Sequence, residues 1–225
     1  MFHVEQGRRT AERWLIEGAQ ELGIVLTDQQ VADFCIYLNL LIRWNQKINL
    51  TAVRETKAII VKHFLDSLMC GKALPFETSG SLLDVGSGAG FPGLPLKIMN
   101  PDLDVILLEP SQKKIAFLRH VIGTLRLRKV SGVSKRIQDL AREPRYLNHF
   151  AQVITRALRP ELILPFLRPI LAERGRIILC RVKPLGAEPA RQSLTGLAIA
   201  KEIAYCLPYG YGSRVLTVLQ SVDLG

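Results

Sequence analysis

The sequence predicts an α/β fold: a mostly parallel sheet with helices on both faces and an antiparallel end, preceded by a helical extension. Three observations predict it. From residue 81 onward, apolar runs of strand length alternate with helix-periodic stretches. The first of these runs ends in an acid and a glycine-rich loop, Asp84-Val85-Gly86-Ser87-Gly88-Ala89-Gly90-Phe91-Pro92-Gly93. The last two runs are joined only by residues 208–213, too short for a helical crossover, so they pair antiparallel.

The extension is read from residues 1–75 and the α/β unit from residues 76–225. Thr27 to Gln30 is a T-x-x-Q capping box. Val31, Phe34, Cys35, Leu38, Leu41 and Ile42 then mark one helix face. Residues 44–49 break that pattern as a turn, and a second helical stripe follows through Ile59, Ile60, His63, Phe64, Ser67 and Leu68. Strands are expected at 82–85, 104–108, 129–133, 152–155, 176–180, 198–205 and 215–220. Helices are expected over 115–125 and 161–171.

Composition bounds the function. The chain has 225 residues, 48% of them hydrophobic and 22% charged, enough for a sizeable core. It has no run of 18 apolar residues, so no membrane span is expected. Its first 20 residues carry Glu5, Glu12 and Glu17 and no apolar core, so no secretory signal is expected. Cys35, Cys70, Cys180 and Cys206 are scattered and form no C-x-x-C pair, so neither a zinc site nor a disulfide framework is expected, and a reduced cytoplasm is the natural compartment. The formal charge is +10 and is concentrated. Residues 111–145 hold ten basic residues against two acids, and residues 168–191 hold six against two. Such runs fit either a solvated face or the footprint of a polyanion.

The glycine loop carries the chemistry. Glycines let a backbone turn sharply and approach a ligand, so Gly86, Gly88 and Gly90, with Asp84 at the strand end, are candidate cofactor contacts. Glu109, 25 residues after Asp84 and at the end of the second strand, is placed to accept hydrogen bonds from ribose hydroxyls. A dinucleotide reading, Gly88-x-Gly90-x-x-Gly93, fails on register, because Gly86 holds the strand end. Pro92 also removes an N–H where pyrophosphate needs donors. S-adenosylmethionine, a nucleoside without phosphate, fits better.

Beyond that loop, the chain contains Trp44-Asn45-x-x-Ile48-Asn49-Leu50-Thr51-Ala52-Val53-Arg54, His63-Phe64-Leu65-Asp66-Ser67 and Ile154-Thr155-Arg156-Ala157. With these motifs, roughly residues 29–157 resemble the ribosomal RNA small-subunit methyltransferase G family, also called glucose-inhibited division protein B. These are bacterial enzymes that methylate N7 of a guanine in 16S rRNA. The resemblance implies a class I S-adenosylmethionine-dependent methyltransferase fold with a seven-stranded sheet. It also implies cofactor contacts from Gly86, Phe91, Glu109, Ile137, Gln138 and Arg156. This chain departs from the family at three places: Gln138 replaces an acid, Cys180-Arg181-Val182 replaces Leu-Lys-Gly, and Arg214-Val215-Leu216 replaces Arg-His-Leu.

Guanine N7 has a lone pair and no proton, so no general base is expected. Arg156 and Arg136 are instead expected to position substrate and cofactor. Lys113, Lys114, Arg126, Arg128, Lys129, Lys135 and Arg136 are the expected rRNA contacts. The expected partner is 16S rRNA or a small-subunit particle, with no metal, no membrane and a monomeric chain. Two other readings stay open: a methyltransferase of this fold acting on a small molecule or protein, and a silent RNA-binding member.

Overall fold

The computed structural model describes residues 2–74, 81–156, 158–185 and 196–221. The expected boundary at 75–76 and Ala157 of the fourth motif lie outside them.

The chain opens with α1 (Phe2–Glu21) and α2 (Asp28–Asn45). The capping box at the start of α2 is formed in both directions: Thr27 Oγ1 accepts from the Gln30 N–H, and Gln30 Oε1 accepts from the Thr27 N–H at 2.9 Å. The expected turn at 44 starts later, because Trp44 and Asn45 remain helical. Asn45 is buried, and its side-chain oxygen accepts from the Leu50 and Thr51 N–H groups at 2.9 and 3.0 Å, fixing the turn from inside. Next come α3 (Thr56–Ile59), a wider i→i+5 segment (Ile60–Leu65) and α4 (Asp66–Cys70). Such wide turns concentrate at functional sites, and this one carries His63.

The sheet unit follows as β1 (Ser81–Val85), α5 (Gly93–Met99), β2 (Asp104–Leu108), α6 (Gln112–Thr124), β3 (Val130–Val133), α7 (Ile137–Leu140), β4 (Phe150–Arg156), α8 (Pro160–Leu167), β5 (Leu171–Arg181), β6 (Leu197–Cys206) and β7 (Ser213–Ser221). The strand order is β3-β2-β1-β4-β5-β7-β6, with β7 antiparallel to both its neighbours. This is the seven-stranded, mostly parallel sheet with an antiparallel end that the sequence predicts. One boundary moves: the helix expected over 161–171 stops at Leu167, and β5 begins at Leu171, five residues earlier than expected. Pro169, just beyond the helix end, explains the early stop, since proline has no N–H to continue the helical ladder, whereas Pro165 is accommodated inside α8.

Strand alternation builds a core on each face. Leu82, Val105, Leu107 and Ile154 join the helices of the extension in one cluster. Leu83, Val85, Leu108 and Val153 join α7 and α8 in the other. The extension therefore shares its core with one face of the sheet. The five parallel strands deliver their C-terminal ends to one edge, and the chain reverses its winding between β1 and β4, the usual place for a ligand in such a sheet. Among the described residues no helix is long and apolar enough to cross a membrane.

Candidate functional site

Beyond β1, the glycine loop spends its own amides. The Gly86 and Ser87 N–H groups donate to Leu108 O at 2.8 and 3.1 Å, and the Gly90 and Phe91 N–H groups donate to Ser87 O at 2.7 and 2.9 Å. The Gly88 N–H donates to Glu109 Oε2 at 3.0 Å, and the Gly93 N–H, at the start of α5, donates to Asp84 Oδ2 at 2.8 Å. A pyrophosphate needs free donors at a helix N-terminus. Here a carboxylate already takes the first one, and Pro92 has none to give. Gly86 and Gly88 have φ of 72° and 57°, a left-handed backbone that glycine adopts without strain.

A cleft of about 490 Å³ opens on this loop at the C-terminal edge of the sheet, within the roughly 300–1,000 Å³ range of small-molecule sites. Gly86, Gly88, Glu109, Ile137 and Gln138 line it, together with Arg156. Glu109 is buried at its edge, and each carboxylate oxygen accepts one backbone N–H, from Gly88 at 3.0 Å and from Ser111 at 2.9 Å. An ionised carboxylate has about four acceptor positions, so both oxygens keep capacity for vicinal hydroxyls. The cleft thus suits a nucleoside held by its ribose, and the glycine loop keeps no free helix N-terminus for a pyrophosphate.

A larger cleft of about 770 Å³ lies alongside, and Arg156, Leu158 and Arg159 line both. Its walls are basic: Lys62, Arg159, Arg181, Lys183 and Arg214 stand against Asp66 and Glu161. Leu158 and Val182 are exposed there, at 41% and 66%. At its floor Arg156 Nη1 donates to Lys62 O at 2.9 Å and to Asp66 Oδ2 at 3.3 Å, while Nη2 lies 3.1 Å from His63 Nδ1. Asp66 also accepts from the Tyr205 hydroxyl at 2.7 Å and pairs with Arg214 at 3.8 Å. Burial, and then the charge of Arg156, push His63 down to about 3, so its ring is neutral.

The expected site residues divide. Gly86, Gly88, Glu109, Ile137, Gln138, Arg136 and Arg156 line the smaller cleft, and so do Lys114 and Lys135. Asp84, Gly90 and Phe91 lie outside that lining. Asp84 is fully buried beneath the loop on the face covered by α5, so its carboxyl does not reach the cleft. Gly90 is glycine because a Cβ there would stand 2.6 Å from both the Leu94 side chain and the Tyr37 hydroxyl. The Phe91 ring turns into the shared core, stacked on Tyr37 at 5.4 Å and on His63 at 4.8 Å. Trp44 packs against Phe117 at 5.6 Å.

The basic run is not one surface. Exposed Lys113 opens α6 beside the cleft. Arg126, Arg128 and Lys129 instead precede β3, and Lys129 O accepts from Val105 N at the start of β2. They sit at the opposite edge of the sheet, a strand length (roughly 15 Å) away. The larger cleft's Lys62, Arg159, Arg181, Lys183 and Arg214 are absent from the residues expected to touch RNA. The second basic run, 168–191, was the one sequence signal pointing at two of them.

Asp84 gives this site a pH-dependent stability. Burial raises its carboxyl to about 7 from 3.8, and Oδ1 has no hydrogen-bond partner among the described residues. The folded state therefore holds a proton that the unfolded chain has lost. Its stabilising contribution is full below about pH 4 and disappears as pH rises to about 7, a loss on the order of 4 kcal/mol. Asp84→Asn keeps an acceptor for the Gly93 N–H and cannot ionise. The melting temperature of the wild type is expected to fall relative to that of the variant between pH 5 and 8. Parallel melting curves across that range would contradict this.

A family model described as rRNA small subunit methyltransferase G matches residues 30–195. The protein named Ribosomal RNA small subunit methyltransferase G from Pelotomaculum thermopropionicum is 38% identical over 211 residues, which cover 92% of this chain and 88% of that one. The protein of the same name from Geotalea uraniireducens is 37% identical over 220 residues, covering 95% of this chain and 98% of that one. Among solved structures, a SAM dependent methyltransferase from Aquifex aeolicus is similar in fold, with a TM-score of 0.53 at 13% identity, covering 73% of this chain and 93% of that one.

Proposed function

The chain belongs to the rRNA small subunit methyltransferase G family and has the class I methyltransferase fold, and from that premise we propose that it methylates N7 of a guanine in 16S rRNA. One observation carries the reading: a cleft on the glycine loop, with Glu109 at its edge, and a larger basic cleft meet at Arg156, Leu158 and Arg159 on one sheet edge. S-adenosylmethionine supplies an electrophilic methyl group when bound.

The chain's residues do the rest. Gly86 and Gly88 admit the cofactor close to the backbone, Glu109 accepts its ribose hydroxyls, and Ile137 and Gln138 flank its base. Arg181, Lys183, Lys62 and Arg214 engage RNA phosphates, and Leu158 and Val182 offer apolar contact to an unstacked base. N7 has no proton to lose, so the chain needs no general base. The arrangement supports this, since His63 uses both ring nitrogens and Asp66 already serves Arg156, Tyr205 and Arg214. Transfer then depends on alignment and the exclusion of water. Its setting is the cytoplasm, where the rRNA is made and assembled.

The test is incubation with cofactor and either purified 16S rRNA or small-subunit particles, followed by mapping of strand scission at N7-methylguanine. One modified guanine is expected. Methylation of a small molecule or protein with rRNA untouched would overturn the reading. So would tight NAD binding without S-adenosylmethionine affinity. The RNA surface has its own test. Joint charge reversal of Arg181 and Lys183 is expected to weaken rRNA binding and to lower the slope of log K against log salt by about 0.7–0.9 per lost phosphate contact. The same reversal of Arg126 and Arg128, at the opposite edge, is expected to have the smaller effect. Equal losses would place RNA on both edges.

A further inference from the structure

We propose that His63 is a positioning residue that fixes, through Arg156, which guanidinium donors face the two clefts; this rests on the reading of Arg156 given above. Arginine has donors only, so the 3.1 Å contact between Arg156 Nη2 and His63 Nδ1 requires a lone pair on Nδ1. The ring proton then sits on Nε2 and is donated to Thr51 Oγ1 at 2.7 Å. Thr51 Oγ1 also accepts from the Val53 N–H at 3.1 Å, and Asn45 anchors Thr51 by accepting its N–H at 3.0 Å and donating to its carbonyl at 3.1 Å. The tautomer of His63 is thus set by a turn that Asn45 holds from within.

The consequence falls on Arg156. Three of its five N–H groups are assigned: two on Nη1 serve Lys62 O and Asp66, and one on Nη2 serves His63. The Nε–H and the second Nη2–H have no acceptor among the described residues. They are the donors left for a guanine O6, a phosphate or the cofactor carboxylate. The guanidinium carbon lies 5.3 Å from the centroid of Phe91, the ring on which His63 itself stacks at 4.8 Å. Without His63, Nη2 loses its acceptor, and a fork-to-fork pair with Asp66 becomes the best alternative for the guanidinium. That rotation would withdraw both spare donors from the wall shared by the clefts. The groups facing His63 are Arg156, Lys62, Thr51 and Phe91, and burial, followed by the charge of Arg156, keeps the ring from protonating.

The two ring nitrogens can be tested separately. An asparagine side chain places its amide oxygen, an acceptor, near Nδ1, and a glutamine places its amide NH2, a donor, near Nε2. His63→Ala and His63→Gln are expected to lower the single-turnover transfer rate by about tenfold or more, in line with the cost of small misplacements. Cofactor Kd should stay within about twofold, because residues other than His63 make the ribose and loop contacts. His63→Asn should recover most of the loss. On an Arg156→Lys background, His63→Ala should cost little more, since the two act as a unit. A merely structural histidine would show losses that add in the double variant, with asparagine no better than glutamine; either result overturns the proposal. If His63→Ala does not fold, the ranking of asparagine above glutamine decides. Wild-type rates in Arg156→Ala would instead count against the reading of Arg156, leaving that failure distinguishable from this one.

Discussion

Arg156→Ala is expected to lower methyl transfer by about a hundredfold or more, since displacement of reacting groups by about 1 Å costs on that order. The side chain ties the sheet edge to the extension, and residues 62, 63 and 66 all bond it. Its removal leaves Asp66 with Tyr205 and Arg214 alone, and the Lys62 carbonyl and His63 Nδ1 lose their donor. A stability loss of a few kcal/mol is therefore also expected, toward the lower end of the range for broken buried pairs because two partners of Asp66 remain. The rate loss is read at saturating cofactor, at a temperature where melting shows the variant folded. Arg156→Lys should rescue poorly, because a single ammonium cannot reach the Lys62 carbonyl, Asp66 and His63 in the planar fork they now share. Across pH roughly 6.5–9 the wild-type rate should show no limb from a general base. Any inflection near 7 belongs to Asp84 and should vanish in Asp84→Asn. A bell-shaped profile that survives in that variant, or wild-type rates in Arg156→Ala, would sink the mechanism.

Glu109→Ala is the second large effect. It is expected to weaken S-adenosylmethionine binding by about 1–3 kcal/mol, or roughly 5–150-fold, the cost of leaving polar partners unpaired. The ribose is not the only loser. The Gly88 and Ser111 N–H groups lose their acceptor together, so the glycine loop and the start of α6 are released from one another. Glu109→Gln separates charge from geometry. Its amide nitrogen must face one of those two N–H donors, so it should recover little affinity although it is nearly isosteric. Calorimetric titration of both variants with S-adenosylmethionine and with S-adenosylhomocysteine checks this. Unchanged affinity in Glu109→Ala would remove the carboxylate from the cofactor site.

What the sequence determined by itself was local or periodic. The capping box at Thr27 and Gln30 closes within one turn, so four residues suffice to predict it. The β1–loop–α5 unit follows from a strand, an acid and three glycines in sequence. The sheet follows from alternating periods. Glu109 was legible as a candidate ribose acceptor because β1 and β2 are adjacent parallel strands whose ends coincide, Val85 beside Leu108.

Tertiary structure decided the rest. Side-chain direction was one such decision: Asp84 and Phe91 stand in the motif, but strand alternation and the extension's aromatic rings turn both inward. Assembly of the basic cleft was the other. Its residues come from the i→i+5 segment, the β4–α8 junction, the end of β5 and the start of β7, and Tyr205 reaches Asp66 across 139 positions. Charge counted along the chain groups Arg126–Lys129 with Lys135 and Arg136. A parallel sheet separates them, because β3 lies between and carries the chain from one edge to the other. The same sheet gathers Arg156 and Arg181, 25 residues apart in sequence, at the ends of neighbouring strands. Electrostatic fields act through space, so the cleft's charge exists only once the strands have aligned.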